Sequence, residues 1–254
     1  MVASRATALQ VDWTAPWLAP YRDVAHHASG RLADTACVAK ALNDALTTRP
    51  AIPLAAGPLR FVDSRELPQG EAYEAFIART ASVPTRDNLH DLFNGLVWLR
   101  FPALKRRLNE LQSEQIAQAG IGATRGAVRD ALTLFDENAA LWQAPPGLVE
   151  ALRRRDWHAL FITDRQAWRD ARLTLFSHAL MEKLTQPRKA ITAHVWLVPE
   201  EQDAQAFLAA SLTPELLSAK PHLPLPVLGV PGWWQENEAQ GFYDDASVFR
   251  PCRG

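Results

Sequence analysis

The residues of this chain best suited to chemistry are histidines and carboxylates gathered in a few short stretches. The densest is Val83 to Lys105, VPTRDNLHDLFNGLVWLRFPALK, where polar side chains crowd into a segment otherwise apolar enough to be core. An imidazole exchanges protons near neutral pH and binds transition metals, and a neighbouring carboxylate orients it or tunes its basicity. His90 is followed directly by Asp91, and Asn94 stands one helical turn on. His178 and Glu182 share an i, i+4 spacing in HALMEKL, and His194 lies in the apolar run ITAHVWLV. Asp136 and Glu137 lie between two apolar runs. Imidazoles plus carboxylates from several elements are a ligand set for Zn, Fe or Mn, and equally a set for general acid/base catalysis.

Placing these groups is the work of the surrounding elements. In the central stretch Pro84 and Thr85-Arg86-Asp87 supply a helix start, with Thr85 or Asp87 as N-cap, and Pro102 stops or restarts the helix. Leu89, Leu92, Phe93, Leu96 and Leu99 form its core stripe, while Asp87, His90, Asp91, Asn94 and Trp98 follow the same period on the adjacent face. Gly95 and Trp98 are poor choices for a solvated helix face, which argues that this face borders a cleft. The competing reading is an ordinary solvated face carrying one histidine.

Leu32 to Thr48 reads as an amphipathic helix, Leu59 to Val62 as a short strand and Glu71 to Thr80 as another helix. A long helix follows Pro102, its first half carrying Lys105, Arg106 and Arg107, a run expected to be solvated. Leu132 to Trp142, with Asp136-Glu137-Asn138 at its centre, reads as a β-hairpin whose tip bears two carboxylates. Asp164 to Leu184 is expected to be one long helix and Ile191 to Val198 a strand. Residues 11 to 23 alternate aromatics with prolines as an extended arm, and the tail from Thr213 is Pro- and Trp-rich without period, an ordered coil wrapping the body. The expected fold is α+β, mainly α-helical, with a small antiparallel sheet or hairpin. Residues 1–30 form an arm and 31–254 a single globular domain that includes the C-terminal segment 213–254.

With 254 residues, 48% hydrophobic and 22% charged, the chain has the composition of an ordinary globular protein. A formal net charge of -1 does not support nucleic acid as a partner. No apolar run reaches the roughly eighteen residues of a membrane span, so no membrane partner is expected. Two cysteines, Cys37 and Cys252, make neither a disulfide framework nor a zinc quartet, and a reducing cytoplasm fits them best.

Six segments in this order, VPTRDNLHDLFNGLVWLRFPALK, RGAVRDALTLFDEN, HALMEKL, KAITAH, LPVLGVPGWW and FYDDASVFRP, resemble the bacterial Domain of Unknown Function 3025 family. The resemblance runs from about the first helix to the C-terminus. It implies bacterial origin and a single domain, and carries no established activity. The polar positions within those segments are Arg86, Asn88, His90, Asp91 and Asn94, then Arg125, Asp130, Asp136, Glu137 and Asn138, then His178, Glu182 and His194.

Two functional readings follow. The first is a metal-dependent or acid/base hydrolase of a small-molecule or polymeric substrate. In it His90, Asp91, Asn94, Asp136 and Glu137 are catalytic, a divalent metal would be held by His90, His178, Glu182 and His194, and Arg86, Asn88, Trp98 and Arg125 bind substrate. A narrower form, a nuclease of the His-metal finger type, finds only half of its motif in DNLHDLF with Asn94 and ranks below the general one. The second reading is a non-catalytic binding or scaffold module whose polar residues satisfy caps, buried backbone and ion pairs. An open pocket with two histidines within about 5 Å of each other discriminates for the enzyme, and a closed, fully paired interior for the scaffold.

Overall fold

The computed structural model describes residues 11–119 and 126–251. Arg125 therefore lies outside the described residues.

The chain enters through a 3-10 turn, Pro16–Tyr21, and not through an extended arm. Tyr21 is fully buried and its hydroxyl donates to the carbonyl of Leu175 at 2.6 Å, which ties the entry segment into the core. Two helices follow, α1 (Arg22–Thr35) and α2 (Val38–Leu46), and they break within the stretch Leu32 to Thr48 expected to be one helix. The break is Ala36, which ends α1 in the left-handed region at φ 52°. The amide of Val38 at the start of α2 then donates to Asp87 Oδ1 at 2.8 Å, so Asp87 caps a helix from another part of the chain.

Strands β1 (Pro53–Leu54) and β2 (Gly57–Pro58) make a minimal hairpin, and β3 (Arg60–Asp63) leads across α3 (Tyr73–Thr80) to a parallel partner, β4 (Ser82–Thr85). Thr85 is thus a strand residue. The central helix α4 spans Leu89–Arg100, capped by Asn88, whose Oδ1 accepts the amide of Asp91. Phe101 interrupts it and Pro102 opens α5 (Pro102–Ala119), as the fixed φ of proline at a first helical position allows.

Residues expected to form a hairpin form instead α6 (Ala127–Asn138) followed by one strand, β5 (Ala139–Gln143). Ala131, Leu132 and Phe135 are buried at helical spacing, and Asp136-Glu137-Asn138 contains no glycine to supply the positive φ of a tight hairpin turn. The chain continues through α7 (Pro146–Arg154) to β6 (Arg172–Leu175) and α8 (His178–Lys183), replacing the single long helix expected from Asp164 to Leu184. Ser177 starts α8 afresh by accepting the amide of Leu180 on its hydroxyl. Strand β7 (Thr192–Leu197) is followed by α9 (Ala204–Ser211), α10 (Pro214–Ala219) and β8 (Leu223–Pro226).

The main sheet has the order β6-β5-β7-β8, with β5 and β7 parallel and both edge strands antiparallel to their neighbours. The fold is α+β and mainly helical, 55% helix against 14% strand among the described residues. One hydrophobic cluster runs from Val11 to Phe249. The segment from Thr213, expected as ordered coil, first supplies α10 and the edge strand β8, and only beyond Pro226 does it wrap the body as 3-10 turns and coil. Asn237 donates to the carbonyls of Leu228 and Val230, and Tyr243 and Phe249 pack on Phe161. Among the described residues no helix is long and apolar enough to cross a membrane.

Gly95 owes its place to packing and not to the cleft. A Cβ there would overlap Leu42 Cδ1, a side chain of α2 that is itself fully buried. Gly95→Ala should therefore destabilise the protein by about 1–3 kcal/mol, the cost of overpacking a closed core. That outweighs the roughly 1 kcal/mol by which alanine favours a helix over glycine. Urea titration would show this, and a neutral or stabilising result would mean that Leu42 can rotate away at no cost.

Candidate functional site

Five helices converge on a cleft of about 530 Å³, and among the residues lining it are Arg86, His90, Asn94, Asp136 and His178. The helix contributing most is α4, whose His90, Asp91 and Asn94 come to one side by their i, i+1 and i+4 spacing. Helix α3 brings Tyr73, α5 brings Lys105, α6 brings Asp136 and Glu137, and α8 brings His178 and Glu182.

At the heart of the cleft two histidines meet. Their Nε2 atoms are 3.1 Å apart, with the rings edge to face. Behind His90, Nδ1 lies 2.8 Å from Glu182 Oε2, so this nitrogen carries a proton and donates it to the carboxylate. Behind His178, Nδ1 lies 3.9 Å from Asp136 Oδ2 and is buried without a hydrogen-bond partner. His178 is only 5% exposed, whereas the Glu182 side chain is 42% exposed. The row therefore runs from an interior carboxylate, Asp136, to one at the surface.

Asp136 is anchored from beneath. Lys105 Nζ donates to both of its oxygens, at 2.7 and 3.0 Å, and to Asn94 Oδ1 at 2.9 Å, while Asn94 Nδ2 donates to the Tyr73 hydroxyl at 3.0 Å. Lys105 is 5% exposed and its ammonium sits 5.4 Å from the centre of the Trp98 ring. Burial alone would raise the pKa of Asp136, but the Lys105 ammonium together with His178 and His90 outweighs it and holds the carboxyl below its usual range. Burial is also the main influence on Tyr73, whose phenol is pushed up and stays neutral. A second anchor joins α4 to the end of β4. Asp91 accepts the backbone amide of Arg86 at 2.6 Å and its guanidinium bidentately, at 2.9 and 3.0 Å.

The structure thus brings together His90, Asp91, Asn94, Asp136, His178, Glu182 and Arg86, with Glu137 also lining the cleft. It separates others. The ring of His194 stacks on that of His222 with centroids 4.1 Å apart, in a depression lined by Ala131, Leu134 and Phe135 of α6. Helix α6 therefore stands between His194 and the Asp136 side of the cleft, and the expected three-histidine centre does not form. Asn88 is a helix cap, and Trp98 is a core residue under Lys105 outside the cleft lining. Asp136 and Glu137 stand on the last turn of α6 and not on a hairpin tip. Among the described residues no group of three or more His, Cys, Asp or Glu side chains is disposed to hold a metal ion.

Lys105 was hidden in a basic run that reads as solvated surface. A signal did exist, since Lys105, Asn109 and Gln112 recur at helical spacing and are all buried, marking a polar stripe on an inward face of α5.

Burial lowers His178 to about pKa 4, Lys105 and His90 adding to the effect against the opposing pull of Asp136. A histidine depressed in the fold is protonated first in the unfolded chain. Stability should then be full above about pH 6.5 and fall towards pH 4, by up to about 3 kcal/mol from this residue. His194, also lowered to about 4 chiefly by burial, acts in the same direction. Urea midpoints between pH 7 and pH 4.5 should show the slope. His178→Gln should flatten it by about one proton, and an unchanged slope would mean that His178 titrates normally.

No curated protein and no solved structure matches this chain. A family model described as "Protein of unknown function (DUF3025)" matches residues 59–253, starting after the first two helices and including every residue of the cleft named above. The chain belongs to the DUF3025 family.

Proposed function

We propose that this protein is a hydrolase that works by general acid/base catalysis, with the His90–His178 pair as its proton-transfer element. The observation that carries the reading is the 3.1 Å Nε2–Nε2 contact in an open cleft, backed by the Glu182 carboxylate on the far side of His90. Two imidazoles at hydrogen-bond distance must share a proton, since each neutral ring is a donor at one nitrogen and an acceptor at the other. A carboxylate behind one ring fixes its tautomer and stabilises it when it gains charge, the arrangement expected of a general base.

Asp91, Asn94 and Lys105 act in this reading as the framework that holds the pair, and Arg86, whose side chain is 62% exposed, faces substrate. The bidentate Arg86–Asp91 and Lys105–Asp136 pairs favour the second reading, a non-catalytic module stiffened by ion pairs. One experiment separates the two. Purified protein is offered nitrophenyl carboxylic esters, phosphomonoesters and phosphodiesters, with and without a chelator, alongside the His90→Gln variant. Turnover that survives chelation and is lost with His90 supports the proposal. Absence of turnover on every panel member, or turnover indifferent to His90, overturns it.

A further inference from the structure

Hydrogen-bond accounting along the row Glu182–His90–His178–Asp136 leaves one position unfilled. Glu182 as a carboxylate only accepts, so His90 Nδ1 carries the hydrogen between them. With both rings neutral, His90 Nε2 is then a lone pair, and the 3.1 Å contact requires that His178 Nε2 carry its hydrogen. His178 Nδ1 is in turn a lone pair. It faces Asp136 Oδ2, also an acceptor, across 3.9 Å, too far for a hydrogen bond and too close for two bare lone pairs in a buried place. Asp136 is kept ionised by Lys105, which occupies both of its oxygens from the other direction. His178 Nδ1 is a nitrogen without a partner on a side chain 5% exposed, and His178 and Asp136 both line the cleft. A group that donates two hydrogens, one to each acceptor, completes this geometry.

We infer that the slot between His178 Nδ1 and Asp136 Oδ2 binds a water molecule, and that this water is the nucleophile of the hydrolysis proposed above. The inference rests on that reading for its catalytic part and on the hydrogen-bond pattern alone for the binding part.

The proton path follows from the same accounting. As the water oxygen forms its bond to the electrophilic carbon or phosphorus, its proton passes to His178 Nδ1. The proton on His178 Nε2 passes to His90 Nε2, and that on His90 Nδ1 to Glu182. The bond to the leaving group breaks with its electron pair, and the leaving group takes a proton from solvent while Glu182, 42% exposed, releases one to it. Asp136 gains and loses nothing. It is a positioning residue that holds the second hydrogen of the water and so aims its lone pair. Because the slot seats a two-hydrogen donor, it favours water over alcohols, which offer one hydrogen.

The tautomer of His178 tests the slot without any substrate. Long-range proton–nitrogen NMR of the labelled full-length protein at pH 7.5 should show His178 with hydrogen on Nε2 and none on Nδ1, and a crystal structure should show a water within hydrogen-bond distance of Nδ1 and Asp136. Asp136→Asn turns one acceptor into an amide, and should displace that water while leaving the Nε2–H tautomer in place. Should that variant fail to fold, the wild-type tautomer and the wild-type water still decide the matter. Hydrogen on His178 Nδ1, or an Nε2–H tautomer with the slot empty, overturns the inference. The two proposals fail separately. Turnover lost with His90 in a protein whose His178 carries hydrogen on Nδ1 would leave the hydrolase standing without the slot. A well-occupied slot in a protein that hydrolyses nothing would do the reverse.

Discussion

Replacing Lys105 by methionine should destabilise the protein by about 3–5 kcal/mol, the usual cost of removing one member of a buried ion pair. The methionine fills nearly the same volume, so the loss comes from charge and not from a cavity. Lys105 is 5% exposed and makes two hydrogen bonds to a carboxylate whose own side chain is only 20% exposed. Without the ammonium, Asp136 loses the cation that donates to both of its oxygens and keeps a desolvation penalty that favours its neutral form. The folded-state pKa of Asp136 then moves above the unfolded value. The sign of its pH dependence reverses, and the damage should shrink as pH falls towards 4 and the carboxyl takes up a proton. Adding Asp136→Asn to Lys105→Met should restore a large part of the stability, because the unpaired charge is then gone. Urea denaturation of the two single variants and the double variant completes the cycle. A single Lys105→Met change within about 0.5 kcal/mol of wild type would mean that the pair is solvated, as exposed ion pairs are.

The second large effect is kinetic. His90→Gln should lower kcat on a substrate found with the hydrolytic panel by about 10²–10⁴-fold, the range that a positioned general acid/base supplies. Glutamine can keep a hydrogen bond to Glu182 but cannot take up and release a proton near neutral pH, so KM should change far less than kcat. Stability should change little, because the His90 side chain is 34% exposed and its ion-pair partner 42%. Glu182→Gln should cause a smaller loss in kcat and shift the acidic limb of the pH profile, since the ring remains while the carboxylate that stabilises its protonated form does not. If both variants retained the wild-type profile, the histidine pair would be a structural contact.

The cleft is made of local pairs that spacing reveals and long-range pairs that it does not. His90 and Asn94 on one face of α4, and His178 with Glu182 on one face of α8, are consequences of 3.6-residue periodicity and survive even though the helix around His178 is far shorter than its apolar pattern suggests. The contact between His90 and His178 spans 88 positions. It exists because α4 and α8 pack against one another, a fact with no local signature.

His194 shows the opposite failure. Its type and its place on a strong strand read well, but the parallel register of β7 on β5 sets it opposite Ala139, beyond the end of α6, where His222 is its neighbour. Asp136 and Glu137 read as a hairpin tip for a different reason. Short apolar runs on either side of three polar residues suit a hairpin or a helix end equally well, and only the burial of Leu132 and Phe135 on one helical face decides between them.

By itself the sequence determines a mainly helical α+β chain with a core that extends through its Pro- and Trp-rich tail, a central helix that ends before Pro102, and the residue types available for acid/base chemistry. These follow from side-chain periodicity, from the rigid φ of proline and from the amount of apolar surface that must leave water. The tertiary structure alone decides that β5 pairs with β7 across more than 50 residues and that Gly95 makes room for Leu42. It alone places Lys105 beneath Asp136 and brings the two histidines to 3.1 Å. Each of those is a contact between elements distant in sequence, fixed by how helices and sheet fill one shared volume, and a pattern of neighbours along the chain does not encode such contacts one residue at a time.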